Sequence, residues 1–113
     1  MSARLYHLAT RAEWDAAAGT YAPGSFAREG FVHCSYAHQV AATAARYYAG
    51  RDDLVLLEID PARLDAPVIE EPSPVTGERF PHVYGVIPCR AVVSSVAYQA
   101  DPTGVFPPPP RAL

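Results

Sequence analysis

The sequence predicts a small α+β domain with about six strands and two main helices around a mixed or antiparallel sheet. Helical patterns fall in the first half of the chain and the later half is mostly strand, so the regular alternation of parallel βαβ units is missing. The chain has 113 residues, of which 50% are hydrophobic and 19% are charged, as expected for one folded domain. A domain of this size buries roughly two-thirds of its unfolded surface and needs no metal or disulfide to fold.

The first strand is expected at residues 4–8, where aromatic and aliphatic side chains are mixed. Thr10 and Glu13 have the spacing of a capping box, which predicts a short helix over residues 11–18 that Gly19 ends.

Residues 21–28 contain proline, glycine and serine and are expected to form a loop. A buried strand is predicted at residues 30–34, and Ser35 is expected to cap a longer helix that ends before Gly50. The apolar stripe of that helix is expected to consist of Tyr36, Val40, Ala44 and Tyr47.

The later half is predicted to be strand-rich, with one helical turn after the proline at residue 61. The expected strands are residues 54–59, 68–71, 80–87 and 91–98. A single domain over residues 1–107 is expected, followed by a proline-rich tail over residues 108–113. The consecutive prolines from Pro107 to Pro110 favour an extended polyproline conformation at that end.

Charge and composition exclude several classes of partner. The nine basic residues are all arginine, the acidic residues number twelve, and the net charge is −3. No basic run could follow a phosphate backbone, so duplex nucleic acid is not an expected partner. No apolar stretch approaches the roughly 18 residues of a membrane span, and the start lacks the pattern of a signal peptide, so a cytoplasmic location is expected. Cys34 and Cys89 are expected to be free thiols there, although a bridge between them stays open.

Three of the four histidines, His7, His33 and His82, lie in predicted strands, and we take them as candidate catalytic residues. The period of two in a strand places His33 on one face with Ser35 and His82 on one face with Tyr84. These four side chains would form one polar cluster if the two faces meet. The alternative is that each histidine is half-buried and bonded to a backbone carbonyl.

Charged residues near His82 are further candidates for ligand binding. Glu70 and Glu71 are neighbours in a predicted strand and therefore point to opposite faces; Glu71 is the candidate for ligand binding. Arg79 and Arg28 are candidate phosphate partners, with a solvated surface role as the alternative. His33, Cys34 and His38 lie close in sequence, but no Cys-x-x-Cys or His-x-x-x-His pair exists, so no metal is expected.

Four segments of the chain resemble segments that occur in the same order in a known family. They are residues 5–8 (LYHL), 29–35 (EGFVHCS) with Gln39 after them, 54–60, and 80–85 (FPHVYG). Over residues 4–107 the chain resembles the bacterial domain of unknown function 952 (DUF952) family. That family is similar in fold to the ADP-ribosyltransferase class, whose members bind NAD in a cleft between two small sheets. The resemblance therefore implies a two-sheet domain that binds NAD or an ADP-ribose-type nucleotide.

The same resemblance implies roles for individual residues. His7 would hydrogen-bond the ribose, and His33 and Ser35 would lie on the second strand of the cleft. His82 stands where the class has a late-strand glutamate, and a neutral imidazole cannot stabilise positive charge as a carboxylate does. His82 is instead suited to acid–base work or, when protonated, to binding phosphate.

Two classes of function follow from these expectations. The first is an enzyme that binds NAD or an ADP-ribose-type nucleotide in a cleft lined by His7, His33, Ser35 and His82. Its reaction would be group transfer or hydrolysis at the ribose or phosphate. The second is a non-catalytic module that holds a small ligand or a protein in a degenerate cleft of the same kind. A metal-dependent protein with histidine ligands is a further alternative.

Overall fold

A computed structural model describes residues 3–110 of the chain. In this part of the chain all strand pairs are antiparallel and the helices are few and short, which confirms the α+β class. The elements in order are β1 (Leu5–Thr10), α1 (Arg11–Asp15), β2 (Thr20–Tyr21), α2 (Phe26–Glu29), β3 (Val32–His33), α3 (Val40–Tyr47), β4 (Leu54–Ile59), β5 (Val68–Pro72), β6 (Arg79–Val83), β7 (Ile87–Pro88) and β8 (Val92–Tyr98).

The central sheet has the strand order β1–β4–β8. Its middle strand β4 is buried along its whole length, which explains its unbroken Leu-Val-Leu-Leu sequence. Val55, Leu57 and Ile59 pack into one hydrophobic cluster, and Leu54 and Leu56 pack into a second cluster on the opposite face. The sheet therefore separates two cores.

A second sheet has the order β3–β6–β5, and in it His33 lies directly opposite His82. Just after β3, Ser35 joins this sheet to the central one. The Tyr6 N–H donates to the Ser35 carbonyl at 2.8 Å, and the Ser35 N–H donates to the Tyr6 carbonyl at 2.7 Å. The third ladder, β2 with β7, was not expected, because a two-residue strand has too little sequence to be distinguished from a loop.

The first helix begins where the capping box predicts. The Thr10 side chain accepts from the Glu13 N–H, but α1 ends at Asp15, three residues before the predicted end. The predicted loop over residues 21–28 was wrong at both ends. It contains part of β2 and of the one-turn helix α2, which stops at Gly30 in the left-handed conformation with φ 80°.

The predicted N-cap at Ser35 was also wrong. Ser35 is occupied by its strand-like bridge to Tyr6, so Tyr36 caps a 3₁₀ turn over Ala37–Gln39 that leads into α3. The Gln39 side chain accepts from the Tyr36 N–H at 2.9 Å.

The apolar face of α3 contains Val40 and Ala44, as the stripe predicts. It continues to Tyr48, four residues after Ala44, and leaves Tyr47 55% exposed.

The predicted strand over residues 80–87 is divided into β6 and β7 by a turn through Gly85. After β8 the chain folds back, and Phe106 is buried against Tyr98, whose hydroxyl donates to the Pro107 carbonyl at 2.6 Å. The last residues of the expected tail, 111–113, lie outside the described residues. Within the described part, none of the helices combines the length and the apolar character that a membrane crossing requires.

Candidate functional site

The outer face of the β3–β6–β5 sheet brings two of the candidate histidines together. His33 and His82 are paired in register, and their ring centroids are 5.1 Å apart with an interplanar angle of 76°. Tyr84 follows His82 by two residues and lies on the same face, as the strand period predicts. We call these side chains, with Glu29, Phe31 and Glu71, the histidine face.

Glu71 links His82 and Tyr84. The His82 Nδ1–H donates to Glu71 Oε1 at 2.7 Å, and the Tyr84 hydroxyl donates to the same oxygen at 2.5 Å. These bonds, first that from Tyr84 and then that from His82, lower the pKa of the Glu71 carboxyl. The bond to Glu71 likewise raises the pKa of Tyr84. An ionised Glu71 fixes the proton of His82 on Nδ1 and leaves Nε2 as the basic nitrogen.

A second imidazole–carboxylate pair lies beside the first. His33 Nε2 is 3.1 Å from Glu29 Oε1, and Glu29 is the last residue of α2, four positions earlier in the chain. Burial acts to raise the pKa of Glu29, but the hydrogen bond from His33 and the charges of His33 and Arg28 outweigh it, so that the pKa is lowered. The imidazole of His33 is open to solvent, with 56% of its side chain exposed.

Phe31 holds the two rings in place. It stacks on His82 with centroids 4.3 Å apart and planes 19° apart, and its ring lies 4.7 Å from that of His33 in an edge-on contact. The side chain of His82 is only 12% exposed as a result of this packing. In the histidine face, the ring of Phe31 thus packs against the imidazoles of both His33 and His82.

His7 does not share this face. It is 5% exposed, and its ring lies between the His33 carbonyl oxygen, 2.6 Å from Nδ1, and the Tyr21 hydroxyl, 2.8 Å from Nε2. Burial lowers the pKa of His7 to about 4, although the bond to the His33 carbonyl opposes this shift. Both ring nitrogens of this neutral imidazole are already bonded, so neither is left for a ribose.

The expectation of one cleft lined by four residues therefore needs correction. His33 and His82 meet, but His7 reaches His33 only at its main chain, and Ser35 is 7% exposed in the bridge to Tyr6. The reason is that β1 lies in the central sheet, whose face at His7 is filled by the first core.

Glu70 and Glu71 point to opposite faces, as the alternation predicts. The Tyr36 hydroxyl donates to Glu70 at 2.5 Å, and the Arg79 guanidinium donates to the Glu70 carbonyl at 2.8 Å. Arg79 nevertheless lies near enough to Glu71 for its charge to contribute to the lowered pKa of that carboxyl, after the hydrogen bonds from Tyr84 and His82. Arg79 pairs with Glu70 on the side of the sheet opposite His82.

The family model described as "Protein of unknown function (DUF952)" matches residues 8–95. The chain belongs to the DUF952 family. The crystal structure of protein CC0527 from Caulobacter crescentus is 33% identical with a TM-score of 0.80, and covers 92% of this chain and 93% of that one. The solution NMR structure of CC0527 has a TM-score of 0.71 at 33% identity and covers 90% of each chain. No curated protein sequence matches this chain.

The DUF952 match confirms the family resemblance. Its two most distinctive segments, residues 29–35 and 80–85, form the parts of the chain that meet as β3 and β6. They supply Glu29, Phe31, His33, His82 and Tyr84. The similar structures establish the fold, and they do not bear on the ADP-ribosyltransferase-like resemblance or on a ligand.

Glu29 and Phe31 were missed as site residues of this DUF952 chain. The signal for Glu29 was its spacing of four residues from His33, and the signal for Phe31 was its position two residues before His33.

Within residues 3–110 no group of three or more His, Cys, Asp or Glu side chains is placed to hold a metal ion. Both cysteines are free, and burial raises the pKa of the Cys34 thiol to about 12, which makes it unreactive.

Proposed function

We propose that the histidine face is an acid–base site for an NAD- or ADP-ribose-type nucleotide, acting by group transfer or hydrolysis at the ribose or phosphate. The observation that carries this proposal is the pair of imidazoles with centroids 5.1 Å apart, each bonded to its own carboxylate. The ligand class comes from the ADP-ribosyltransferase-like resemblance, which is part of the proposal.

Two adjacent imidazoles suit the two proton transfers of such a reaction. The basic nitrogen of His82 would accept a proton from the attacking water or hydroxyl group, and protonated His33 would donate one to the leaving oxygen. Histidine is suited to both roles because its ordinary pKa lies near neutral pH. Glu71 and Glu29 orient the rings by their hydrogen bonds.

The carboxylates would also supply the negative charge that a neutral imidazole at position 82 lacks. A glutamate is expected there to stabilise positive charge that develops on the ribose, and Glu71 brings a carboxylate to 2.7 Å from the His82 ring. Arg28 and Arg79 remain the proposed phosphate partners, because the charge of each contributes to the lowered pKa of a carboxylate of the histidine face, Arg28 at Glu29 and Arg79 at Glu71.

The test is a thermal-shift titration with NAD, ADP-ribose and nicotinamide, combined with chromatographic analysis of the products. The proteins are wild type, His82→Gln and the matched control His38→Gln, which changes an exposed histidine outside the histidine face. We expect ADP-ribose or NAD to raise the melting temperature of wild type and control but not of His82→Gln, because only a ligand bound to the folded state stabilises it. The absence of a shift in folded wild-type protein would reject the nucleotide site.

A non-catalytic binding module is the second candidate, favoured by the tight stacking of Phe31 on His82. It predicts the same His82-dependent thermal shift without nicotinamide release or cleavage of ADP-ribose. If wild type forms product and His82→Gln does not, the protein is an enzyme and not a non-catalytic module.

A further inference from the structure

We propose that two copies of this chain associate through the strand β8, which pairs with the same strand of the second copy in antiparallel orientation. β8 is the longest strand of the described chain, with seven residues, and it lies at an edge of the central sheet. Its pairing with a second β8 would join the two central sheets into one sheet of six strands. This inference concerns a different part of the molecule from the histidine face and does not rest on the function proposed there.

The two edges of the central sheet differ. At the β1 edge, Tyr6 exchanges two backbone hydrogen bonds with Ser35, so the second sheet continues this edge. At the β8 edge, no backbone hydrogen bond joins residues 93–98 to any described segment other than β4. The returning tail contacts β8 through the Tyr98 side chain, which stacks on Phe106 and donates to the Pro107 carbonyl. The prolines that follow have no N–H group and cannot donate to a neighbouring strand.

The strand register identifies the backbone groups of β8 that have no strand partner. Opposite residues of an antiparallel pair either bond to each other or both point away. Tyr6 directs its N–H and C=O to Ser35, so its register partner on β4, Glu58, directs its own groups to β8. The residue of β8 opposite Glu58 therefore bonds to β4, and by alternation the N–H and C=O groups of Ser95 and Ala97 point away from β4.

β8 lacks the residues that protect sheet edges from pairing with another chain. Its sequence, VVSSVAY, contains no charged residue and no proline. The edge strand β5, by contrast, contains Glu70, Glu71 and Pro72, and the Arg79 guanidinium donates to the Glu70 carbonyl at 2.8 Å. Charged side chains and proline on an edge strand oppose the addition of a further strand. The edge of β8 is therefore open to another chain, whereas that of β5 is protected.

The composition of β8 favours a second copy as its partner. A strand without charges does not attract an oppositely charged peptide, and it meets no like charge when it pairs with its own copy. A bulge opposite Glu58 leaves residues 94–98 as the regular part of β8, and Val96 lies at their centre. With a two-fold axis at Val96, Ser95 exchanges two hydrogen bonds with Ala97 of the second copy, and the symmetry gives four such bonds in all.

The side chains at this edge fit the symmetric pair. Ser95 and Ala97 are exposed and small, so they can lie beside each other across the axis. Val96 packs against the second core but is only partly buried, and the pairing places it beside Val96 of the second copy. Contact between β-branched side chains on neighbouring strands is favourable. Because one strand pair is smaller than a standard interface, we expect a dissociation constant of about 10–100 µM.

Sedimentation equilibrium of the full chain tests this proposal. We expect the weight-average mass to rise from 12.2 kDa toward twice that value over a roughly hundredfold range of concentration around the expected dissociation constant. Ala97→Pro removes an outward N–H and leaves the ladder with β4 intact, so it should weaken association at least about tenfold. Ser95→Lys places a charge on the edge and should weaken association by a similar factor.

Two further variants supply the controls. Ala45→Lys adds the same charge at an exposed position of α3 and should associate like wild type. The double variant Ser95→Lys/Ala97→Glu should recover association relative to Ser95→Lys, because the proposed register places each lysine opposite a glutamate of the second copy. Ser95→Lys changes an exposed side chain and keeps the bonds to β4, so circular dichroism of this variant separates a lost contact from a lost fold if Ala97→Pro unfolds.

Four results would overturn the proposal. The first is a wild-type mass that stays at 12.2 kDa at the highest concentration, and the second is a mass that exceeds twice this value, which indicates open-ended association instead of a two-fold pair. The third is association of folded Ser95→Lys that equals that of wild type. The fourth is no recovery in the double variant, which contradicts the register centred on Val96.

Discussion

His7 shows how a histidine in a strand becomes part of a core. Both ring nitrogens are bonded, one to the His33 carbonyl and one to the Tyr21 hydroxyl, and burial holds the ring neutral. The ring therefore links β1 to the main chain of β3, directly behind the exposed imidazole of His33. We interpret His7 as a residue that positions His33 rather than one that contacts a ligand.

This burial predicts a pH dependence of stability. The pKa of His7 is about 4 in the folded state, against 6.5 for the ordinary side chain. Between these values the unfolded chain binds a proton that the folded chain does not, so the free energy of unfolding should fall as the pH falls from 6.5 to 4. The contribution is about 3 kcal/mol, since each unit corresponds to about 1.4 kcal/mol. Urea denaturation across this range should show a smaller loss in His7→Gln than in wild type.

His38→Gln is the control, because its side chain is exposed and should leave the pH profile of wild type unchanged. The same loss of stability in wild type and His7→Gln would contradict a neutral, buried His7.

For single side chains, the sequence was sufficient to predict which face of a strand they occupy but not which residue of the neighbouring strand they contact. The period of two correctly grouped His82 with Tyr84 and separated Glu70 from Glu71. The bond between His82 and Glu71 depends on the register of the β5–β6 hairpin. The burial of His7 depends on contacts with Tyr21 and His33, which are 14 and 26 positions away and which local sequence does not encode.

The junction of β6 and β7 depends on a close approach between two elements. A Cβ built on Gly85 would lie 2.5 Å from the Cβ of Ala66, just before β5. Gly85→Ala should therefore lower the free energy of unfolding by about 1–3 kcal/mol, as overpacking does. The double variant with Ala66→Gly removes the opposing methyl group and should recover most of this loss in urea denaturation. Additive effects of the two substitutions would show that the contact does not limit the junction.

The strands and helices with strong local signals were predicted well. The capping box located the start of α1, and the apolar runs located β4 and β8. The failures were β2, β7 and α2, which contain two to four residues and exist because a partner strand or a left-handed glycine completes them. Such elements are defined by tertiary contacts, so propensity alone does not reveal them.

The two hydrophobic cores share the strand β4. Val55, Leu57 and Ile59 belong to one cluster and Leu54 and Leu56 to the other, so neither core can lose its packing without exposing the strand that supports both. Trp14 packs against the first cluster, and Phe106 belongs to the second. The chain is therefore expected to unfold in one transition.

Phe106→Ala tests this coupling. The side chain is 5% exposed, and its removal should lower the free energy of unfolding by about 3–5 kcal/mol. Although Phe106 lies in the second cluster, the midpoint reported by Trp14 fluorescence should move together with that of far-UV circular dichroism. Val105→Ala, at a side chain that is 60% exposed, should change stability by less than about 0.5 kcal/mol. Separate midpoints for the two signals would show that the cores unfold independently.

The two neighbouring acids of β5 make the histidine face respond differently to a gained and to a lost residue. With the start of β5 held in register, one residue inserted before Glu70 would place Glu70 where Glu71 now lies, so His82 and Tyr84 would keep a carboxylate and Tyr36 would lose its own. One residue deleted there would place Glu71 where Glu70 lies and turn Pro72 toward His82, so Tyr36 would keep a carboxylate and His82 would lose it. The pair of glutamates is therefore expected to protect the histidine face against an added residue at the start of β5 and not against a lost one.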